Sequence, residues 1–220
     1  MNSSWETSKL KSNYHFHDQF IIDPEYDTVI YLGNIQPTWQ EDLNDIIAQA
    51  KPATWATRGY KAEGVQGPSD ELASEEYDLT RHGMSKDLPI THLNWQIPES
   101  LRDISKKFAL SDCMERIHVQ QPGEVWNLHL DKLQKWNPEN PDSVIRIMIQ
   151  LTDWQPGQFW EYGNFHYNKW HAGDITTFDW HNVPHSTANA GHHPRVTFQI
   201  TGVATDKTRE YIKLLRSQIE

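Results

Sequence analysis

The chain has 220 residues, 37% hydrophobic and 23% charged, with 30 acidic against 20 basic side chains and a formal charge of −10. That size suits one domain with a sizeable core, while the acidic balance and the lack of a basic run argue against nucleic acid or an anionic membrane surface as partner. No stretch approaches the roughly 18 apolar residues that span a bilayer, the polar run from Met1 to Asp18 has no signal-peptide core, and the lone Cys113 excludes an internal disulfide, so the expected location is a reducing cytoplasm.

Residues 1–110 read as helical and loop-rich support within a single domain covering 1–220. After Pro37, Thr38 and Glu41 form a capping-box pattern leading into Leu43, Ile46 and Ile47 at helical spacing. From Arg58 to Pro89 the chain is rich in Gly, Ser, Asp and Glu and has no period. A segment of that length inside a domain reads as a lid or substrate-recognition loop, with a plain surface loop as the alternative. A second helix begins near Pro98, with Leu101, Ile104 and Phe108 on one stripe.

From Ser111 the pattern changes to short strands. The runs are Cys113 to Gln120, Val125 to Asp131, Val144 to Leu151, Gln158 to Tyr162, Phe165 to Trp170, Asp174 to Trp180, His185 to Asn189 and Arg195 to Gly202, broken by Gly- and Pro-containing turns. Eight successive strands predict a mainly β jelly roll over 111–205. A final helix in 206–220, from about Lys207 to Gln218, carries Tyr211, Leu214 and Leu215 as an apolar stripe for docking on the sheet exterior.

Side chains on a strand alternate between its faces. In Val125 to Asp131 this places Asn127, His129 and Asp131 together, opposite Leu128 and Leu130. Ile145, Ile147, Ile149 and Leu151 oppose Arg146, Met148 and Gln150, and Val196, Phe198 and Ile200 oppose Arg195, Thr197, Gln199 and Thr201. Three strands therefore present polar faces. Solvated faces are the plain reading, but Arg, His and Asp without Lys or Glu favour convergence on an internal pocket. His129, Asp131 and the downstream His185 are two imidazoles and one carboxylate, the donor set of a non-haem iron(II) site with open positions. His181, His192 and His193 crowd His185, the latter two in a turn where exposed polar residues are usual. His118 reads as a packed core histidine, with pocket lining as the alternative. A zinc hydrolase would need a close-spaced His pair on a helix, which is missing.

The stretch Gln121 to Gly202 resembles the catalytic core of the iron(II)- and 2-oxoglutarate-dependent oxygenases, and within them the aspartyl/asparaginyl β-hydroxylase-like group that includes amino-acid hydroxylases. The resemblance rests on Pro122-Gly123 leading to His129-x-Asp131, on Arg146, on Gly173-Asp174, and on His185 to Asn189 running into Pro194-Arg195. It implies a double-stranded β-helix, the cupin-like jelly roll, with flanking N-terminal helices and a C-terminal helix. It also implies metal ligands His129, Asp131 and His185, with iron(II), 2-oxoglutarate and O2 as cofactor and co-substrates. Arg195 would hold the distal carboxylate of 2-oxoglutarate, Thr197 would donate a hydroxyl to it, and Arg146 would make a further co-substrate carboxylate contact. Met148 departs from members carrying His two places after that arginine. Asp131 fits the conventional triad and disfavours halogenation, in which that carboxylate is replaced. The implied reaction is hydroxylation of an unactivated C–H bond of an amino acid or amino-acid side chain, free or peptide-borne, with release of succinate and CO2. Trp160, Tyr162 and the Arg58 to Pro89 segment are the places expected to touch substrate. The alternative is a cupin-like metal-binding or sugar-modifying protein that does not use 2-oxoglutarate; oligomeric state is not legible.

Overall fold

A computed structural model describes residues 29–54, 89–131, 133–163 and 165–219. Eleven strands in these residues form two antiparallel sheets. They are β1 (Ile30–Asn34), β2 (Lys51–Thr54), β3 (Pro89–Asn94), β4 (Ser111–Gln120), β5 (Val125–His129), β6 (Val144–Gln150), β7 (Gln158–Tyr162), β8 (Phe165–Tyr167), β9 (Asp174–Thr177), β10 (His185–Asn189) and β11 (Arg195–Val203). The larger sheet has the order β1-β9-β6-β11-β4-β3-β2 and the smaller β5-β10-β7-β8. This is the jelly roll expected from the strand pattern. Most of the Arg58 to Pro89 segment lies outside the described residues, which resume with Pro89 at the start of β3.

The N-terminal half differs from the helical reading, because β1 pairs with β9 and β3 with β4, extending the larger sheet at both edges. Pro, Gly and few residues per strand hide them: IYLGN, KPAT and PITHLN are too short to show a period. Helix α1 (Leu43–Gln49) starts later than the Thr38/Glu41 pattern suggests, with Asp42 at the N-cap and no side-chain cap bond. Trp39 occupies that turn instead, fully buried with its indole N–H on the Leu151 carbonyl. Helix α2 (Glu99–Phe108) follows Pro98 as expected and buries Leu101, Ile104 and Phe108. Helix α3 (Asp206–Arg216) is capped by a reciprocal Thr205/Thr208 box. It buries Ile212 and Leu215 and packs Tyr211 edge-on against Phe108, while Leu214 is 55% exposed, so Ile212 takes the place of Leu214 in the expected stripe.

Two apolar layers result. Ile145, Ile147, Ile149, Val196, Phe198 and Ile200 pack against the helices on one face of the larger sheet. Met148, Trp160, Tyr162, Trp170, Phe178 and Val183 pack between the two sheets. Because every residue of β6 and all but the last of β11 are buried, the polar faces of these strands are enclosed rather than solvated. The Gly173-Asp174 turn locks β9 in place. Gly173 has φ +95°, and a Cβ there would stand 2.0 Å from the Ile35 carbonyl oxygen. Asp174 accepts hydrogen bonds from Tyr31 Oη and Asn34 Nδ2, both at 2.9 Å.

Candidate metal centre and its cavity

The strand ends bring His129, Asp131 and His185 together. His129 closes β5, His185 opens β10, and the two are direct partners in the ladder. Asp131 lies two residues beyond β5 and turns back, so one donor atom from each of the three lies within 4.8 Å of the others. All three residues are buried. His129 Nε2 is 3.8 Å from Asp131 Oδ1 and His185 Nε2 is 3.6 Å from Oδ2, beyond hydrogen-bond range. The opposite ring nitrogens face backbone carbonyls: His129 Nδ1 is 2.7 Å from Asn127 O and His185 Nδ1 is 3.3 Å from Val183 O. A proton on each Nδ1 satisfies those carbonyls and turns the Nε2 lone pairs toward the carboxylate, the tautomer a metal ligand needs.

Strict alternation does not describe β5. Between its pairings of His129 with His185 and of Trp126 with Thr187, one residue of β10, Ser186, opposes two of β5, Asn127 and Leu128. This bulge makes Trp126 and His129 the inward residues, correcting the grouping of Asn127 with His129. The indole of Trp126 stacks on His129 at 5.8 Å between ring centres.

Arg146 and Thr197 both line the cavity and both have protein partners. Arg146 Nη1 donates to Asp131 Oδ2 at 2.6 Å and Nε to Thr201 Oγ1 at 3.1 Å, so it orients the Asp131 carboxylate. Burial would raise the Asp131 carboxyl, but Arg146, with His185, His129 and Arg116, outweighs it and holds the group well below the usual carboxylate range. Thr197 Oγ1 donates to Gln150 Oε1 at 3.0 Å.

Arg195 is different. It is 3% exposed, its guanidinium carbon lies 4.4 Å from the centre of the Trp160 ring, and its Nε and Nη1 have no hydrogen-bond partner. Burial pulls its guanidinium down to about 9. A buried cation with orphaned donors is costly unless an anion completes it. A bidentate carboxylate supplies the matching geometry.

A cavity of about 430 Å³ joins these groups, lined by His129, His185, Arg146 and Arg195 together with Met148, Phe178, Trp126 and Trp160. Trp160 is a wall of the cavity, whereas Tyr162 sits behind His185, fully buried, and does not line it. His181, His192 and His193 are exposed and outside the metal cluster. His118 lines the cavity instead of the core, kept neutral by burial and by the charges of Arg116, Arg146 and Arg195.

The sequence reading missed Arg116. It is 2% exposed, lines the cavity and donates from Nε to His118 Nε2 at 3.1 Å. Met114, Arg116, His118 and Gln120 share one parity on β4, and the same alternation that exposed Arg146 and Arg195 would have found it. Glu115 on the opposite, apolar face blurs that pattern.

No family model matches the chain, and neither does any curated protein. Among solved structures, the chain is similar to a Pseudomonas putida prolyl-4-hydroxylase, with TM-score 0.51 and 14% identity over 81% of this chain and 93% of that one. It is also similar to the non-heme alpha ketoglutarate dependent epimerase SnoN of nogalamycin biosynthesis, with TM-score 0.52 and 11% identity over 80% of this chain and 77% of that one. A cupin 2 conserved barrel domain protein from Salinispora arenicola matches more weakly, with TM-score 0.32 and 12% identity over 56% of this chain and 84% of that one. At such identities likeness speaks for the fold alone: the chain is a mainly β double-stranded β-helix of the cupin-like jelly-roll class, with helices packed on the larger sheet.

Proposed function

We propose that this protein is an iron(II)- and 2-oxoglutarate-dependent oxygenase that hydroxylates an unactivated C–H bond of an amino acid or amino-acid side chain. The observation that carries the reading is the orphaned Arg195 guanidinium on the cavity that is also lined by His129 and His185, the two histidines of a cluster completed by the Asp131 carboxylate. Three protein donors leave open positions on an octahedral iron, as a bidentate 2-oxo acid and O2 require. Bound together, these groups would supply an oxidant by decarboxylating 2-oxoglutarate to succinate and CO2 and would place one oxygen atom of O2 on the substrate.

His129, Asp131 and His185 would hold the iron, and Arg146 would keep Asp131 ionised and oriented. Arg195 would fix the distal carboxylate of the co-substrate through two parallel charge-assisted hydrogen bonds, with Trp160 bracing its guanidinium. Trp126, Met148 and Phe178 would exclude water from the reacting atoms. Of the two solved enzymes with a similar fold, the epimerase SnoN is alpha ketoglutarate dependent by its name, and their likeness supports the scaffold rather than the substrate.

The test is aerobic incubation of the iron-loaded protein with 2-oxoglutarate and a panel of amino acids and blocked peptides. Succinate should form in step with a product 16 mass units heavier, and His185→Ala should form neither. Iron-loaded, folded protein that consumes no 2-oxoglutarate with any panel member would contradict the proposal and favour a cupin-like metal protein.

A further inference from the structure

The Arg195 end of the cavity gathers buried donors that lack an acceptor. Arg195 and Thr197 stand two residues apart on β11, and both line the cavity. Gln150 of β6 is the direct partner of Thr197 and so the diagonal neighbour of Arg195. Diagonal residues of an antiparallel pair lie about 7–8 Å apart, within reach of long side chains. From the opposite sheet, Trp160 of β7 lays its indole against Arg195, with 4.4 Å between the ring centre and the guanidinium carbon. Gln150 is fully buried and Trp160 is 3% exposed.

Four nitrogens of these three side chains have no hydrogen-bond partner among the described residues: Arg195 Nε and Nη1, Gln150 Nε2 and Trp160 Nε1. Neither of the neutral groups is loose. The Thr197 hydroxyl donates to Gln150 Oε1 at 3.0 Å, which leaves the amide nitrogen as the free end. Tyr162 stacks on the Trp160 indole at 5.6 Å between ring centres, and Trp170 meets it at 85°. A buried donor left without an acceptor is costly, and the same defect on three adjoining side chains points to one shared acceptor. Gln120, opposite Arg195 on β4, has an unpartnered Oε1, while its Nε2 donates to Thr187 of β10. One amide oxygen has two lone pairs and cannot serve four nitrogens carried by three strands. A carboxylate accepts through two oxygens with about four lone-pair sites and donates nothing, which matches the set.

We propose that Gln150 and Trp160 complete, with Arg195, the pocket for the distal carboxylate of 2-oxoglutarate, the Gln150 amide and the Trp160 indole each donating a hydrogen bond to it. This rests on the oxygenase reading above. It assigns Trp160 to the co-substrate rather than to the substrate contact expected from the sequence.

The experiment uses full-length wild type, Gln150→Leu and Trp160→Phe, each loaded anaerobically with iron(II). Two probes are titrated: 2-oxoglutarate, and 2-oxopentanoate, which keeps the chelating 2-oxo acid but carries a methyl group in place of the distal carboxylate. Binding is read from the visible band of the chelated 2-oxo acid. Each variant should bind 2-oxoglutarate about 10-fold more weakly than wild type, or worse, with its affinity for 2-oxopentanoate unchanged within about threefold. Unchanged 2-oxoglutarate binding in either variant overturns the proposal, since water would then be meeting that donor. A weakening shared equally by both probes also overturns it, as a structural effect on the metal centre. If Gln150→Leu does not fold, Gln150→Glu decides: it keeps an acceptor for Thr197 and sets a like charge beside the carboxylate, so it should weaken 2-oxoglutarate alone. If Trp160→Phe does not fold, wild type with zinc(II) for iron(II) and isotope-labelled tryptophan decides. There 2-oxoglutarate should move an indole N–H resonance downfield that 2-oxopentanoate leaves in place, and no such resonance overturns the assignment. No 2-oxoglutarate band in folded, iron-loaded wild type refutes the oxygenase reading itself, whereas a wild-type band that the variants keep at full affinity refutes this proposal alone.

Discussion

Replacing Arg146 with Gln isolates the energetics of the metal centre. Arg146 and Asp131 are 4% and 7% exposed and meet at 2.6 Å, so removing the guanidinium strands a carboxylate whose burial opposes ionisation. Removing one partner of a buried ion pair costs about 3–5 kcal/mol. A residual amide contact should leave the loss near the lower limit. For a domain of this size about 3 kcal/mol corresponds to a fall of roughly 10 °C in Tm. In a cycle with Asp131→Asn, both measured by urea unfolding of the metal-free protein, the coupling energy should be about 2–3 kcal/mol. Saturating iron(II) should then narrow the stability gap between Arg146→Gln and wild type, because the dication takes over the task of holding Asp131 charged. A coupling below about 0.5 kcal/mol would refute this reasoning, since Arg146 would then be acting elsewhere.

Other residues give equally direct outcomes. Arg195→Met removes a buried cation with two orphaned donors, so the unliganded protein should be as stable as wild type or more so. Its 2-oxoglutarate binding should fall by about 30-fold or more; a large stability loss with binding intact would contradict the assignment. His118 and His185 both have pKa values lowered by burial from 6.5, so the unfolded chain binds protons that the folded one does not. Stability is therefore complete above pH 6.5 and is lost as pH falls below it, by about 1.4 kcal/mol per unit per histidine. Asp131, lowered from 3.8, adds its own acid loss only near and below that pH. Urea midpoints of the metal-free protein between pH 7.5 and 5 should show this slope, shallower in His118→Gln; an unchanged slope in the variant would mean His118 is protonated in the fold. Gly173→Ala forces a Cβ to 2.0 Å from the Ile35 carbonyl at φ +95°, and should destabilise by about 2–3 kcal/mol in the same assay.

The polar faces of β6 and β11 were legible because each strand alternates without interruption, apolar residues meeting the helices and Arg146, Arg195, Thr197 and Gln199 meeting the cavity. The grouping of His129, Asp131 and His185 was legible from donor chemistry and order. What was hidden depends on tertiary structure. The β5 bulge makes Trp126 and not Asn127 the inward neighbour of His129, and a bulge leaves no mark on hydrophobic period. The partners of Arg146 and Thr197 are fixed by side chains distant in sequence, Asp131 for one and Gln150 for the other. β1 and β2 are edge-sheet additions too short to announce themselves. Arg116 was readable in principle, by the parity it shares with His118.

The central claim is that one cavity holds both iron(II) and 2-oxoglutarate. It is tested most directly by anaerobic titration of the metal-free protein with iron(II) and then 2-oxoglutarate, watching for the weak visible band of the chelated 2-oxo acid in wild type, Asp131→Ala and Arg195→Ala. The account predicts a saturable band in wild type that is weakened or lost in both variants. No band from folded, iron-loaded wild-type protein, or a band indifferent to Arg195, would contradict it.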